Sequence, residues 1–112
     1  MAKFEARLSG SFDDMLRIID NAIMGGSSTA SLEDSSDFCV GGSRCAVRVY
    51  ERFSYTGSNR VSLSVTLFQA DGFLFVSAIA SGGSQAVLFK INTFGEEAFL
   101  NTLSAELKNY II

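Results

Sequence analysis

The sequence contains no histidine. Its absence removes the usual zinc ligand, the usual general base at neutral pH and any Ser-His-Asp arrangement. Cysteine is scarce: there are two, Cys39 and Cys45, and their spacing is not that of a Cys-x-x-Cys redox motif. Basic residues are in the minority, and a formal charge of −3 argues against nucleic acid as a primary partner. No apolar run approaches the length of a membrane span, so no membrane partner is expected. The opening stretch Met1 to Arg7 scatters charge and has no apolar h-region, so it does not read as a signal peptide. The expected compartment is the cytoplasm, with both cysteines reduced.

What is present is globular in kind: 47% hydrophobic and 19% charged over 112 residues, expected to form one domain over 1–112. The central stretch, Arg44 to Ser81, reads as three antiparallel strands. In its first run Cys45, Val47, Val49, Phe53 and Tyr55 share odd parity, which predicts that they face inward. In its second run Val61, Leu63, Val65 and Leu67 alternate with Ser62, Ser64 and Thr66. A loop at Gly57 to Asn59 would pair Tyr55 with Val61 and Phe53 with Leu63. Asp71-Gly72 is a two-residue hairpin signal that pairs Ala70 with Phe73, Leu67 with Val76 and Val65 with Ala78. That register turns Leu74, Val76, Ala78 and Ala80 inward.

Around this meander the order continues at both ends. Phe4, Ala6 and Leu8 alternate with charges, as on a half-buried edge strand. Ser11 is placed to N-cap a helix carrying Asp13 and Asp14 in its first turn and Phe12, Met15, Leu16, Ile19 and Ile23 on one face. Gly25-Gly26 ends it, with a glycine suited to a left-handed cap. Ser27 to Val40 suits a polar edge strand, and Gly41-Gly42 sets Phe38 opposite Cys45 and Leu32 opposite Glu51. Ala86 to Ile91 is either a short further strand or a lead into a last helix. That helix is expected to start at a Thr93–Glu96 capping box and to bury Phe99, Leu103, Leu107 and Ile111, with Leu100 beside them. The predicted class is α+β: an antiparallel sheet of about five strands, order β-α-β-β-β-β-(β)-α, with both helices on one face.

Candidate sites follow from that layout. The outward face should carry Phe68, Phe73, Phe75 and Ile79 beside Arg48, Tyr50 and Arg52, with Arg48, Phe68 and Phe75 in one row. A solvated face is mostly polar, so this one is expected to be covered, either by a second copy of the chain or by the chain's own Ala86–Ile91 segment or Tyr110–Ile112 tail. Arg48 and Arg52 are candidates to bind a small anionic ligand, the plainer reading being a solvated polar face. Gly82, Gly83, Ser84 and Gln85 offer backbone N–H groups to an anion, but they lack both the Walker lysine and the dinucleotide glycine spacing, so a structural turn is the plainer reading. Glu33, Asp34 and Asp37 do not match calcium-loop spacing, and no metal site or cofactor is expected.

Three runs carry a resemblance: Ser31 to Phe38, Arg44 to Glu51, and Gly82 to Val87. Together they resemble a family of small uncharacterised bacterial proteins. The resemblance covers nearly the whole chain and implies a domain of unknown function, with no activity or site to carry over. Helix-grip folds are similar in element order alone, which says nothing of function. The leading expectation is a non-enzymatic domain that associates with itself as a homodimer. The alternative is a small-ligand-binding module with its pocket between the sheet and the last helix. An enzyme using Arg, Glu or Tyr is the least favoured reading.

Overall fold

The structure, a computed structural model, describes residues 1–53, 60–82 and 89–112, with the backbone alone for 89–94. Strand β1 (Ala2–Leu8) opens the chain and helix α1 (Phe12–Gly25) follows. Four strands come next: β2 (Ser31–Val40), β3 (Ser43–Phe53), β4 (Arg60–Ala70) and β5 (Phe73–Gly82). Helix α2 (Phe89–Leu107) and a 3-10 turn (Lys108–Tyr110) complete the described chain. The sheet order is β1-β5-β4-β3-β2, and every neighbouring pair is antiparallel. This is an α+β fold with both helices on one face.

Local chemistry explains most of the elements. The Ser11 side chain caps α1 by accepting from the Asp14 N–H at 3.1 Å, and Asp13 and Asp14 lie at the positive end of the helix dipole. Asp71 and Gly72 both have positive φ, 52° and 79°. That is the type I′ turn whose twist matches an antiparallel pair, and the expected pairings Ala70–Phe73, Leu67–Val76 and Val65–Ala78 all form. The core lies between the inward sheet face and the helices. Val61, Leu63, Val65, Leu67, Leu74, Val76, Ala78 and Ala80 meet Phe12, Met15, Ile19 and Ile23 of α1 and Phe99, Leu100, Leu103 and Leu107 of α2.

The β3–β4 register departs from the expectation. Phe53 lies opposite Arg60, Arg52 opposite Val61, and Tyr50 opposite Leu63. The pairing is shifted from the expected one by three residues, an odd number. An odd shift reverses every side chain of a strand. Ala46, Tyr50 and Arg52 are the buried residues of β3, while Cys45, Val47, Val49 and Phe53 point away from the helices. The predicted turn at 56–59 and the placement of Tyr55 lie outside the described residues. At the β2–β3 hairpin Phe38 does face Cys45, but a bulge between Leu32 and Asp34 moves Leu32 opposite Tyr50 and Ser31 opposite Glu51. Cys45, expected inward, lies on the outward face and Cys39 on the helix side, and both are free thiols.

Three end-of-helix expectations change. Helix α2 begins at Phe89, so Thr93 lies inside it and is no cap, and Phe89–Ile91 are helical; residues 86–88 lie outside the described set. Ile111 is not on the helical stripe. It bridges to Leu8 at the free edge of β1, where the Ser9 N–H donates to the Tyr110 carbonyl at 2.8 Å and the Ile112 N–H to the Arg7 carbonyl at 3.1 Å. Finally, Gly26 is right-handed (φ −86°, ψ −8°). What excludes a side chain there is space: a Cβ would come within 2.8 Å of the Thr102 Cβ on α2 and 2.9 Å of the Ala22 carbonyl oxygen, whereas a Cβ on Gly25 would meet nothing within 4 Å. Gly26→Ala should therefore cost about 1–3 kcal/mol, the usual penalty of overpacking. Gly25→Ala should be neutral or stabilising by up to about 1 kcal/mol. Urea midpoints check this, and equal midpoints for the two variants would contradict the close helix crossing.

Candidate functional site

The cross-strand pairings resolve the outward face into rows. One runs Arg7, Phe75, Phe68, Cys45, Phe38 from β1 to β2. The next runs Glu5, Ser77, Thr66, Val47, Ser36, and the third Lys3, Ile79, Ser64, Val49, Asp34. Beyond the first row, toward the hairpin turns, lie Phe73, Ala70, Ser43 and Val40. The aromatic residues thus gather at the hairpin end, and the middle of the face is small and polar.

Among the described residues nothing covers this face. Phe68, Phe73, Phe75 and Ile79 are each about two-fifths exposed, and Phe38 is 54% exposed. Where they are described, the two intramolecular covers considered for this face lie elsewhere. The tail adds to the edge of β1, and Phe89–Ile91 belong to α2, which packs on the opposite face. The patch has internal order. The Phe73 and Phe75 ring centroids are 6.2 Å apart and tilted at 55°, and the Arg7 guanidinium carbon lies 3.8 Å from the centre of the Phe73 ring. An open depression of about 270 Å³ is bordered by Phe38, Val40, Cys45 and Phe68. Phe38, Val40 and Cys45 were not anticipated here. The correct pairing of Phe38 with Cys45 carried that information, but it was attached to the wrong face.

The arginines are elsewhere. Arg48 and Arg52 point to the helix side, and Cys45 takes the place expected of Arg48 in the row with Phe68 and Phe75. Arg48 donates to Asp37 Oδ1 and to the Val47 carbonyl, each at 3.0 Å. Arg52 is nearly buried, its guanidinium carbon 4.7 Å from the centre of the Phe99 ring. Arg44 pairs with Asp13 at 3.1 Å and lies over the Phe12 ring. The hydroxyl of Tyr50, 1% exposed, donates to Asp20 Oδ1 at 2.8 Å. Burial first, then the hydrogen bond and charge of Asp20, hold this hydroxyl well above the usual tyrosine range against a smaller opposing pull from Arg48.

The glycine loop is also engaged structurally where it is described. The Gly82 N–H donates to Glu96 Oε2 at 2.6 Å, so the acid expected to cap its own helix instead closes the end of β5. Gly83, Ser84 and Gln85 lie outside the described residues. Along the inner face of the described part of α2, Phe99, Leu103 and Leu107 are fully buried against the sheet. Among the described residues no group of three or more His, Cys, Asp or Glu is placed to hold a metal ion, and no described helix is long and apolar enough to cross a membrane.

The model of a family of unknown function, DUF6054, matches residues 1–111, and the chain belongs to that family. No curated protein matches it.

Proposed function

With a family that supplies no activity, we propose that the chain is a non-enzymatic binding domain that works by associating with a second copy of itself through the outer sheet face. The observation that carries this reading is the row Phe75, Phe68, Cys45, Phe38, with Phe73 beside it, exposed on a face that no described element covers. Contiguous apolar patches of this kind mark interaction surfaces. A second copy suits the size of the face. Strands about 4.8 Å apart, with outward residues about 6.8 Å apart along each, give about 33 Å² per residue, so five strands over five rows present roughly 800 Å². One partner contributes about 800 Å² to a standard interface. Closed twofold pairing is the commonest assembly, and it sets a patch against its own copy.

The free edge of β2 favours the face over the edge as the meeting surface. β2 carries Glu33, Asp34 and Asp37 and a bulge, the devices that keep edge strands from pairing with copies of themselves. The polar margin of the face is made by Lys3, Arg7, Asp34 and Glu51, since Arg48 and Arg52 point to the helices.

Phe75→Lys is the test. The side chain points away from the core, so the variant should keep its thermal unfolding within the range of ordinary surface substitutions. Its mass by light scattering should fall from dimer to monomer. A wild-type chain that is monomeric at high micromolar concentration ends this reading. So does a Phe75→Lys variant that remains a dimer.

A further inference from the structure

We infer that the two copies meet about a twofold axis running along β4, parallel to the strands, with Lys3 of each copy against Asp34 of the other. This rests on the self-association proposed above and adds its geometry. The sheet order puts β4 in the middle, β1 at one edge and β2 at the other. A twofold axis along the central strand turns the second copy over and lays its β2 upon the first copy's β1, keeping each row over itself. A twofold axis across the strands lays β1 upon β1 instead.

Charge favours the axis along β4. Lys3 and Asp34 stand at opposite ends of one row, on the same face, and both are exposed. Among the described residues neither takes part in an ion pair, while Arg44, Arg48 and Arg60 are all engaged with acids of their own chain. The face thus ends in a net positive margin at β1, where Lys3 and Arg7 flank the single acid Glu5, and in the negative charge of Asp34 at β2. The axis along β4 brings them together twice, once at each margin. The axis across the strands keeps Lys3 on the β1 side and Asp34 on the β2 side, so it never brings the two together; it lays a β1 margin of Lys3, Glu5 and Arg7, net positive, upon itself and the Asp34 margin upon itself.

The rest of the face agrees with the same axis. It sets Phe68 on Phe68 at the centre, Phe75 on Cys45, Ile79 on Val49 and Arg7 on Phe38, so apolar meets apolar and the guanidinium meets an aromatic ring. Two sheets packed this way keep their strands within about 30° of each other, the ordinary angle of aligned sheets. Because the contact is isologous, every substitution acts twice.

A charge exchange tests the axis. Lys3→Glu and Asp34→Lys should each keep the fold by circular dichroism and weaken the dimer at least about fivefold by sedimentation equilibrium at low salt, two exposed pairs being affected at once. The double variant Lys3→Glu with Asp34→Lys should recover the wild-type dissociation constant to within about twofold. A dimeric wild type whose double variant is as weak as the sum of its parts overturns the axis and leaves the self-association reading standing. A monomeric wild type overturns both.

Discussion

Leu103→Ala should lower stability by about 2–5 kcal/mol, the range for a buried leucine truncated in place. Leu103 is fully buried, with Phe99 and Leu107, also fully buried, one turn away on either side. Helix α2 lies on the inward face of the sheet, where Leu103 is held between the strands and its helical neighbours and the backbone would have to move to close over a missing isobutyl group. The cost therefore includes the cavity as well as the lost transfer energy. A domain of ordinary size has about 5–15 kcal/mol in total, so the variant should lose a large part of it. In urea, the midpoint should drop with little change in slope. A midpoint equal to wild type would mean that the stripe does not face the core.

The parts of the fold legible in the sequence are those where two local constraints agree. At Asp71-Gly72 the turn chemistry requires a two-residue loop, and the alternation on both flanking strands requires the same register. The Ser11 cap and the Phe12, Met15, Ile19, Ile23 stripe agree in the same way. β3 had no such agreement. Both of its parities carry apolar residues: Val47, Val49 and Phe53 on one side, Ala46 and Tyr50 on the other. The β-branched residues suit a strand through propensity, without implying burial. Which side is in follows from the β3–β4 register, which the alternation within β3 does not reveal. Burying Tyr50 and Arg52 is favourable because Asp20 and the Phe99 ring wait for them on the helices, and no short-range pattern announces that. The start of α2 was misread for a related reason. Glu96 satisfies a capping-box spacing, yet its carboxylate accepts from Gly82, a partner visible only in three dimensions.

The candidate site shows the same division. Phe68, Phe73, Phe75 and Ile79 were legible as outward because they lie in the hairpin whose register was secure. The arginines were misplaced because they lie on β3. One parity error therefore moved Arg48 and Arg52 off the face and brought Cys45 and Phe38 onto it, enlarging the apolar patch and removing the expected anion-binding row.

Tyr50 should prove as costly to truncate as Leu103, and for a second reason. Tyr50→Ala removes a fully buried aromatic ring, on the order of 3–5 kcal/mol. Tyr50→Phe keeps the ring and loses only the bond to Asp20, about 1–2 kcal/mol, because the carboxylate of Asp20 is only half-buried and water can replace the hydroxyl. The hydroxyl also predicts a pH dependence. Burial and Asp20 raise its pKa in the folded state above the ordinary value of 10.0. The folded protein thus keeps a proton that the unfolded chain releases. The stabilisation is complete below the unfolded pKa and is lost as pH rises above it, at up to about 1.4 kcal/mol per pH unit. Denaturation midpoints measured from pH 8 upward should fall steeply for wild type once the unfolded tyrosine ionises, near pH 10. They should fall less steeply for Tyr50→Phe, so the two curves converge as the solution becomes more alkaline. Parallel curves would show that Tyr50 ionises in the folded protein as freely as in the unfolded chain, and that the Asp20 contact does not anchor α1 to the sheet.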